Sequence, residues 1–265
     1  MRLITTTIAA VLILSVAFWS AWPDANASQT PKLNNTIRAV AGEQPVVAFG
    51  VMSDIQAADY APHVEKDRHY RRSPWRLADA VRILNDIDGL AFTIHCGDFV
   101  DDDPSTWDVL LPIWNQLAMP THHVVGNHDI RARGTAYAVE RMALERRYYS
   151  FDVNGWRFVV LDTNDLDAAQ LDWLAGQLVQ PCVVFGHHPE AFDTIAPIMS
   201  AGGNAKVYFC GHNHYGGYRE QDGVAMVNLH AMVNTPDSNA FAVVRIYADR
   251  IEVDGFGREP DRVLR

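Results

Sequence analysis

From about residue 44 the chain alternates between short apolar runs and helical patterns. Residues 46–52 are almost continuously apolar, as expected for a strand covered on both faces. Residues 91–96, 122–125, 182–185 and 206–210 read the same way. Between them, residues 75–87 place Leu77, Val81, Leu84 and Ile87 on one helical face, and residues 105–117 do so with Trp107, Leu110 or Leu111, Trp114 and Leu117. Ser105 and Asp108 form a capping-box pattern, and Pro112 predicts a kink or a shortened helix. A third helix is predicted from Asp167, an N-cap with Gln170 at N3, through Leu171, Leu174 and Leu178. From Tyr148 the pattern changes. Residues 148–153 and 156–162 flank Asn154-Gly155, a strong hairpin signal, and apolar runs at 224–229, 240–246 and 251–253 follow. The elements predict an α/β fold, either one mixed sheet or two facing sheets sandwiched by helices.

Apolar runs lead repeatedly into polar clusters: Asp54-Ile55-Gln56, Gly97-Asp98 with Asp101, Gly126-Asn127-His128-Asp129, Gly186-His187 and Gly211-His212-Asn213-His214. Ligands of α/β sheets bind beyond the carboxyl ends of strands, so these loops are expected to share one end of the fold. Their carboxylate, amide and imidazole groups suit two divalent cations, about 3.5–4 Å apart and joined by a bridging ligand. Asp98 is the predicted bridge, because a carboxylate offers two oxygens and a negative charge, and Gly97 allows the chain to turn before it. Asp54, Gln56 and His214 are assigned to one ion, and Asn127, His187 and His212 to the other. In an extended segment His212 and His214 point the same way, whereas a bend sends each to a different ion. His128 is the candidate general acid for the leaving oxygen. Asp101 is the candidate that orients its other nitrogen, with Asp129 as competitor. Arg68 is a candidate for stabilising phosphoryl charge, and the Arg68, Arg71, Arg72 group reads either as a phosphate site or as a charged approach to a helix. His63, His69, His95, His122, His123, His188 and His230 read as core or surface histidines, and Asp102 and Asp103 as solvated loop.

Composition sharpens this picture. The net charge of −10 over 265 residues argues against a broad nucleic-acid or anionic-membrane surface, and part of the acidity is expected to be neutralised by metal. The three cysteines, Cys96, Cys182 and Cys210, are an odd number within apolar runs and read as buried thiols; thiolate ligation is the alternative, without a C-x-x-C spacing to favour it. At the N-terminus, Arg2, an apolar run over residues 3–19 and Ala25-Asn26-Ala27 before Ser28 predict a secretory signal over residues 1–27, an uncleaved anchor being the alternative. A linker over residues 28–43 and one domain over residues 44–265 are expected to follow. The protein is therefore expected to be exported, periplasmic or secreted, with no stable membrane span after processing.

The clusters resemble the calcineurin-like metallophosphoesterase pattern of D-x-H, G-D-x-x-D, G-N-H-[DE], a lone His and G-H-x-H, with Gln56 where most members have His. Residues 49–56, Arg68-His69-Tyr70-Arg71, residues 211–218 and residues 236–241 resemble the manganese-dependent ADP-ribose/CDP-alcohol diphosphatase branch, which has Gln at this position. The resemblance implies a β-sandwich of mixed sheets flanked by helices, a dimetal site at the strand ends and a substrate contact by Arg68. An amide oxygen is a harder and weaker ligand than imidazole, so Gln56 should favour manganese, with magnesium, iron or zinc as alternatives. The chain lacks the family's insertions between Asp162 and Leu171 and after Gln180, which enclose the nucleotide base. The expected substrate is a small nucleotide-derived phosphoester or phosphoanhydride. The alternatives are broad phosphomonoesterase or cyclic-nucleotide phosphodiesterase activity, and a non-catalytic metal- or phosphate-binding protein.

Overall fold

A computed structural model describes residues 43–59 and 64–265. The expected signal segment and nearly all of the expected linker lie outside the described residues, as does His63. Among the described residues no helix is long and apolar enough to cross a membrane.

Two six-stranded sheets face one another. The first runs β14-β13-β12-β1-β4-β5, where β1 is Val47–Met52, β4 Phe92–His95, β5 Thr121–His123, β12 Ala240–Ile246, β13 Ile251–Gly257 and β14 Arg262–Leu264. The second runs β10-β11-β9-β8-β7-β6, where β6 is Tyr149–Val153, β7 Trp156–Val160, β8 Cys182–Phe185, β9 Ala205–Cys210, β10 Tyr215–Gln221 and β11 Val224–His230. A short hairpin joins β2, Val64–Glu65, to β3, Arg68–His69. Strands β1, β4 and β5 are parallel, as are β7, β8, β9 and β11, while β6, β10 and the β12–β14 group are antiparallel to their neighbours. Two facing mixed sheets are thus the alternative the protein adopts.

Period-two alternation explains the layering. Val47, Phe49 and Val51 point between the sheets, where Phe49 meets Phe158 at 5.6 Å and Phe185 at 5.8 Å, ring centre to ring centre. Met52 points the other way, into a cluster with Leu77, Val81 and Leu84 of α1, Ser73–Asn85, and Trp107, Leu110 and Trp114 of α2, Trp107–Trp114. Beyond the ligand loop at Asn127–Arg131, α3, lies α4, Thr135–Arg141. The second sheet is covered by α5, Ala168–Gln177, and α6, Phe192–Gly202. The four layers leave the carboxyl ends of the parallel strands free to carry loops.

Local signals fared unevenly. Asp167 caps α5, accepting from the Gln170 N–H at 2.7 Å. Asn154 and Gly155 adopt φ of 49° and 81°, which a tight hairpin turn requires. The capping box at Ser105 does not form. Asp103 instead accepts from the Ser105 N–H at 3.0 Å and caps a 3-10 turn over Pro104–Thr106, so α2 starts later than predicted and Asp103 is structured. All three cysteines are buried and free.

Candidate dimetal site

The loops after β1 and β4 run side by side, tied by the Asp54 N–H on the Gly97 carbonyl and the Gln56 N–H on the Asp98 carbonyl, both at 3.0 Å. Asp54, Gln56 and Asp98 are buried, and they adopt φ of 52°, 46° and 59°. Non-glycine residues seldom occupy this left-handed region, and such strain collects where side chains must converge. Gly97, at φ 91°, has no such cost, and a Cβ there would stand 2.4 Å from His187 Nδ1. The loop therefore needs glycine twice over, for backbone angle and for space.

One group of ligand atoms closes around Asn127 Oδ1, which lies 3.1 Å from His187 Nε2 and 2.9 Å from His212 Nδ1. His187 Nε2 is also 3.2 Å from Asp98 Oδ2. The Cys96 carbonyl, 2.9 Å from His187 Nδ1, accepts that nitrogen's proton and so leaves Nε2 as the lone-pair donor. A second cluster of ligand atoms brings Asp54 together with Asp98 and His187. His214 Nε2 faces Asp54 Oδ1 at 3.6 Å, while its Nδ1 is held by Asn234 Oδ1 at 2.7 Å. His212 has φ 67°, so the segment is bent and each histidine serves a different group; the extended reading is overturned.

Two oxygens test whether these residues fit cations. Asp54 Oδ1 and Gln56 Oε1 are buried with no hydrogen-bond partner among the described residues. A buried, unsatisfied carboxylate oxygen is costly, and a divalent ion supplies what it lacks. Asp98, between the groups, accepts from Gln56 Nε2 at 3.0 Å and from the His128 N–H at 2.8 Å. Burial pushes its carboxyl up, but His187 and then His128 outweigh burial and hold it well below the ordinary range. Burial likewise pulls His187 down, yet the Asp98 carboxylate raises it to about 10. The residues fit two divalent ions: Asp54, Gln56 and His214 could hold one, Asn127, His187 and His212 the other, with Asp98 between them.

His128 Nδ1 lies 2.8 Å from Asp101 and 3.1 Å from Asp102. Burial lowers the imidazole's pKa, but the Asp101 hydrogen bond and the charges of Asp98, Asp101 and Asp102 raise it above its usual value. Asp129 is occupied elsewhere. Its carboxylate accepts from the backbone N–H groups of Asp98, Phe99, Val100 and Gly126 at 2.8–3.1 Å and locks the two ligand loops together. Burial and the Asp98 charge push its carboxyl up to about 7, opposed by those amides. The geometry favours Asp101 as the orienting carboxylate, and it corrects the reading of Asp102 as mere solvated loop.

Arg68 lies on β3, bridged to Asn234, and hydrogen-bonds the Tyr70 phenol, which burial and the nearby Asp101 charge push up. Arg71 pairs with Asp59 at 2.6 Å and Arg72 donates to the Pro236 carbonyl at 3.1 Å, so each of the three arginines of that run has a protein partner. One neighbour escaped the sequence reading. The His188 ring lies 4.5 Å from that of His212 and belongs to the imidazole cluster with His187, although it was read as a core or surface residue. Burial, then His187 and His212, push it down to about 4. A Gly-His-His-Pro doublet was the available signal, and alone it did not say which imidazole faces the site.

A two-sheet sandwich carrying this acidic, amide and imidazole set at its strand ends defines a metal-dependent phosphoesterase. The chain belongs to the calcineurin-like phosphoesterase family, whose model matches residues 47–216. It is similar to the manganese-dependent ADP-ribose/CDP-alcohol diphosphatase of Mus musculus, 24% identical over 318 aligned positions that take in 83% of this chain and 94% of the relative. The enzyme of that name from Oryza sativa is 24% identical, covering 86% of this chain and 97% of the relative. The fold is that of a dimetal phosphatase from Danio rerio, with a TM-score of 0.75 at 21% identity, covering 83% of this chain and 99% of that one.

Proposed function

We propose that the protein uses two divalent ions, manganese preferred, to hydrolyse phosphoester or phosphoanhydride bonds in nucleotide-derived substrates of the ADP-ribose or CDP-alcohol type. The observation that carries the reading is the placement of His128. Its Nδ1 is held by Asp101 at 2.8 Å and its Nε2 is 4.0 Å from the Asp98 carboxylate. A protein that only bound metal or phosphate would have no use for an oriented acid beside the bridge. The ions, when bound, supply an activated water and neutralise phosphoryl charge. Asp54, Gln56, Asp98, Asn127, His187, His212 and His214 hold them. His128 delivers a proton to the leaving oxygen, Asp101 keeps that imidazole charged and oriented, and Arg68 contacts the phosphate.

A second reading, activity on small phosphomonoesters or cyclic nucleotides, rests on loop length. The mouse relative aligns over 318 positions that use only 83% of this chain, so it carries insertions absent here. The connection after β7 is instead short and pinned, with Arg147 reaching Asp162 and Asp165 at 3.1 Å and Asp167 at 2.9 Å.

The test is hydrolysis of ADP-ribose, CDP-choline, a cyclic nucleotide and p-nitrophenyl phosphate by metal-stripped protein with Mn, Mg or Zn restored separately. Mn-dependent release of AMP and CMP is expected. Turnover confined to p-nitrophenyl phosphate or the cyclic nucleotide would establish the second reading, and bound metal without hydrolysis would leave a binding protein. Export of the chain with cleavage after Ala27 belongs to the same proposal and rests on the N-terminal pattern; N-terminal sequencing of secreted material checks it.

A further inference from the structure

Two adjacent histidines, His187 and His188, sit at the end of β8 with their rings 4.9 Å apart, and the structure gives them opposite hydrogen-bonding roles. His187 Nδ1 faces the Cys96 carbonyl, which can only accept, so that nitrogen carries the proton. His188 Nδ1 faces a hydroxyl, Thr163 Oγ1, at 2.9 Å. That oxygen also accepts the backbone N–H groups of His187 at 3.1 Å and His188 at 3.0 Å. A hydroxyl has two acceptor lone pairs and one proton. With both lone pairs engaged by the amides, its proton must go to His188 Nδ1. The His188 imidazole is therefore an acceptor at Nδ1 and carries its hydrogen on Nε2.

An Nε2–H nitrogen cannot ligate a cation, because its lone pair is in the ring system, but it donates a hydrogen bond. His188 belongs to the imidazole cluster with His187 and His212, is only partly buried, and its backbone is held by the Tyr208 hydroxyl on its carbonyl at 2.8 Å. We propose that His188 is a substrate-binding residue that donates from Nε2 to a phosphate oxygen of the substrate beside the ion held by Asn127, His187 and His212, with Thr163 fixing the tautomer. The assignment rests on the dimetal phosphohydrolase reading. It divides a pair of identical side chains into one metal ligand and one phosphate donor, and Thr163 supports both by accepting their backbone amides.

The direct test needs no turnover. Long-range proton–nitrogen correlation of the 15N-labelled, Mg-loaded protein, with His188 assigned by comparison with His188→Gln, should show Nε2 protonated and Nδ1 bare. A proton on Nδ1 would overturn the tautomer and with it the donor role. In parallel, His188→Ala should retain the wild-type metal content while binding inorganic phosphate about tenfold more weakly in the Mn-loaded protein, as loss of one charge-assisted hydrogen bond predicts. His188→Gln, which keeps a donor, should recover part of that loss, and KM for the hydrolysed substrate should rise more than kcat falls. Lower metal content in His188→Ala would make the residue a ligand, and unchanged phosphate affinity would make it structural; either result overturns the proposal. Phosphate binding stays measurable if wild-type protein hydrolyses none of the substrates, so failure of the catalytic reading is seen separately.

Discussion

Asp101 Oδ1 stands 2.8 Å from His128 Nδ1, while Asp129, the residue directly after His128, spends its carboxylate on four backbone amides. The first aspartate tunes an acid, and the second holds the loops in which that acid sits.

Replacing Asp101 therefore acts through His128. An acid works while protonated, so activity falls as pH rises through the raised pKa of His128. Asp101→Asn removes the leading cause of that rise, and the alkaline limb of kcat should move to lower pH with kcat reduced roughly 10–100-fold. His128→Ala should lose about 10²–10⁴-fold in kcat with metal content unchanged. A pH–rate series with metal analysis checks both.

Metal affinity should itself depend on pH. Without cations His187 holds its proton up to about 10, and that proton must leave before Nε2 can donate to a metal. Manganese should bind more tightly as pH rises from 6 to 8 and should release protons on binding. Calorimetry in buffers of different ionisation enthalpy reads the proton count, and a count of zero would remove His187 from the ligand set.

Gln56 sets metal preference by the same logic. Its Nε2 donates to Asp98, leaving Oε1 as the donor atom toward a cation. Gln56→His replaces a hard amide oxygen with imidazole, so zinc content should rise and the manganese-to-zinc activity ratio should fall at least severalfold. Metal analysis after loading from an equimolar mixture is the check.

Acid sensitivity of the fold should come from the histidines behind the site. Burial pushes His123 down to about 3 and His122 to about 4, so both are neutral in the folded protein and charge on unfolding. Their pKa values are depressed. The stability they permit is complete above about 6.5, and it is lost as pH falls from there toward their folded values. Each should cost about 1.4 kcal/mol per pH unit across that window. His123→Phe, set against Trp114 at 4.8 Å and Phe99 at 5.2 Å, should flatten the decline in urea midpoint between pH 6.5 and 4.5.

The ligand motifs were legible because each follows an apolar strand, and apolar runs survive in a sequence without tertiary help. The roles of the aspartates were not. Asp101, Asp102, Asp103 and Asp129 are alike as letters, and their tasks depend on which backbone amides and imidazoles the fold brings near. His188 was missed for the same reason, since its partner Thr163 comes from another strand end. Strand β10 was missed because Tyr215-Gly216-Gly217-Tyr218-Arg219-Glu220-Gln221 lies at a sheet edge, largely exposed, and so carries no apolar run. The bend at His212 rests on a left-handed backbone that histidine rarely adopts, and no sequence periodicity announces it.

The three cysteines are each 0% exposed and unpaired. Folding therefore requires no oxidant, and the chain can be made in a reducing cytoplasm with the same free thiols it would have outside. Their burial also leaves the surface free of reactive thiol. A single cysteine introduced on exposed β10 would be the one attachment point for a dye or spin label, and distances from it to bound manganese could then be followed without removing any native residue.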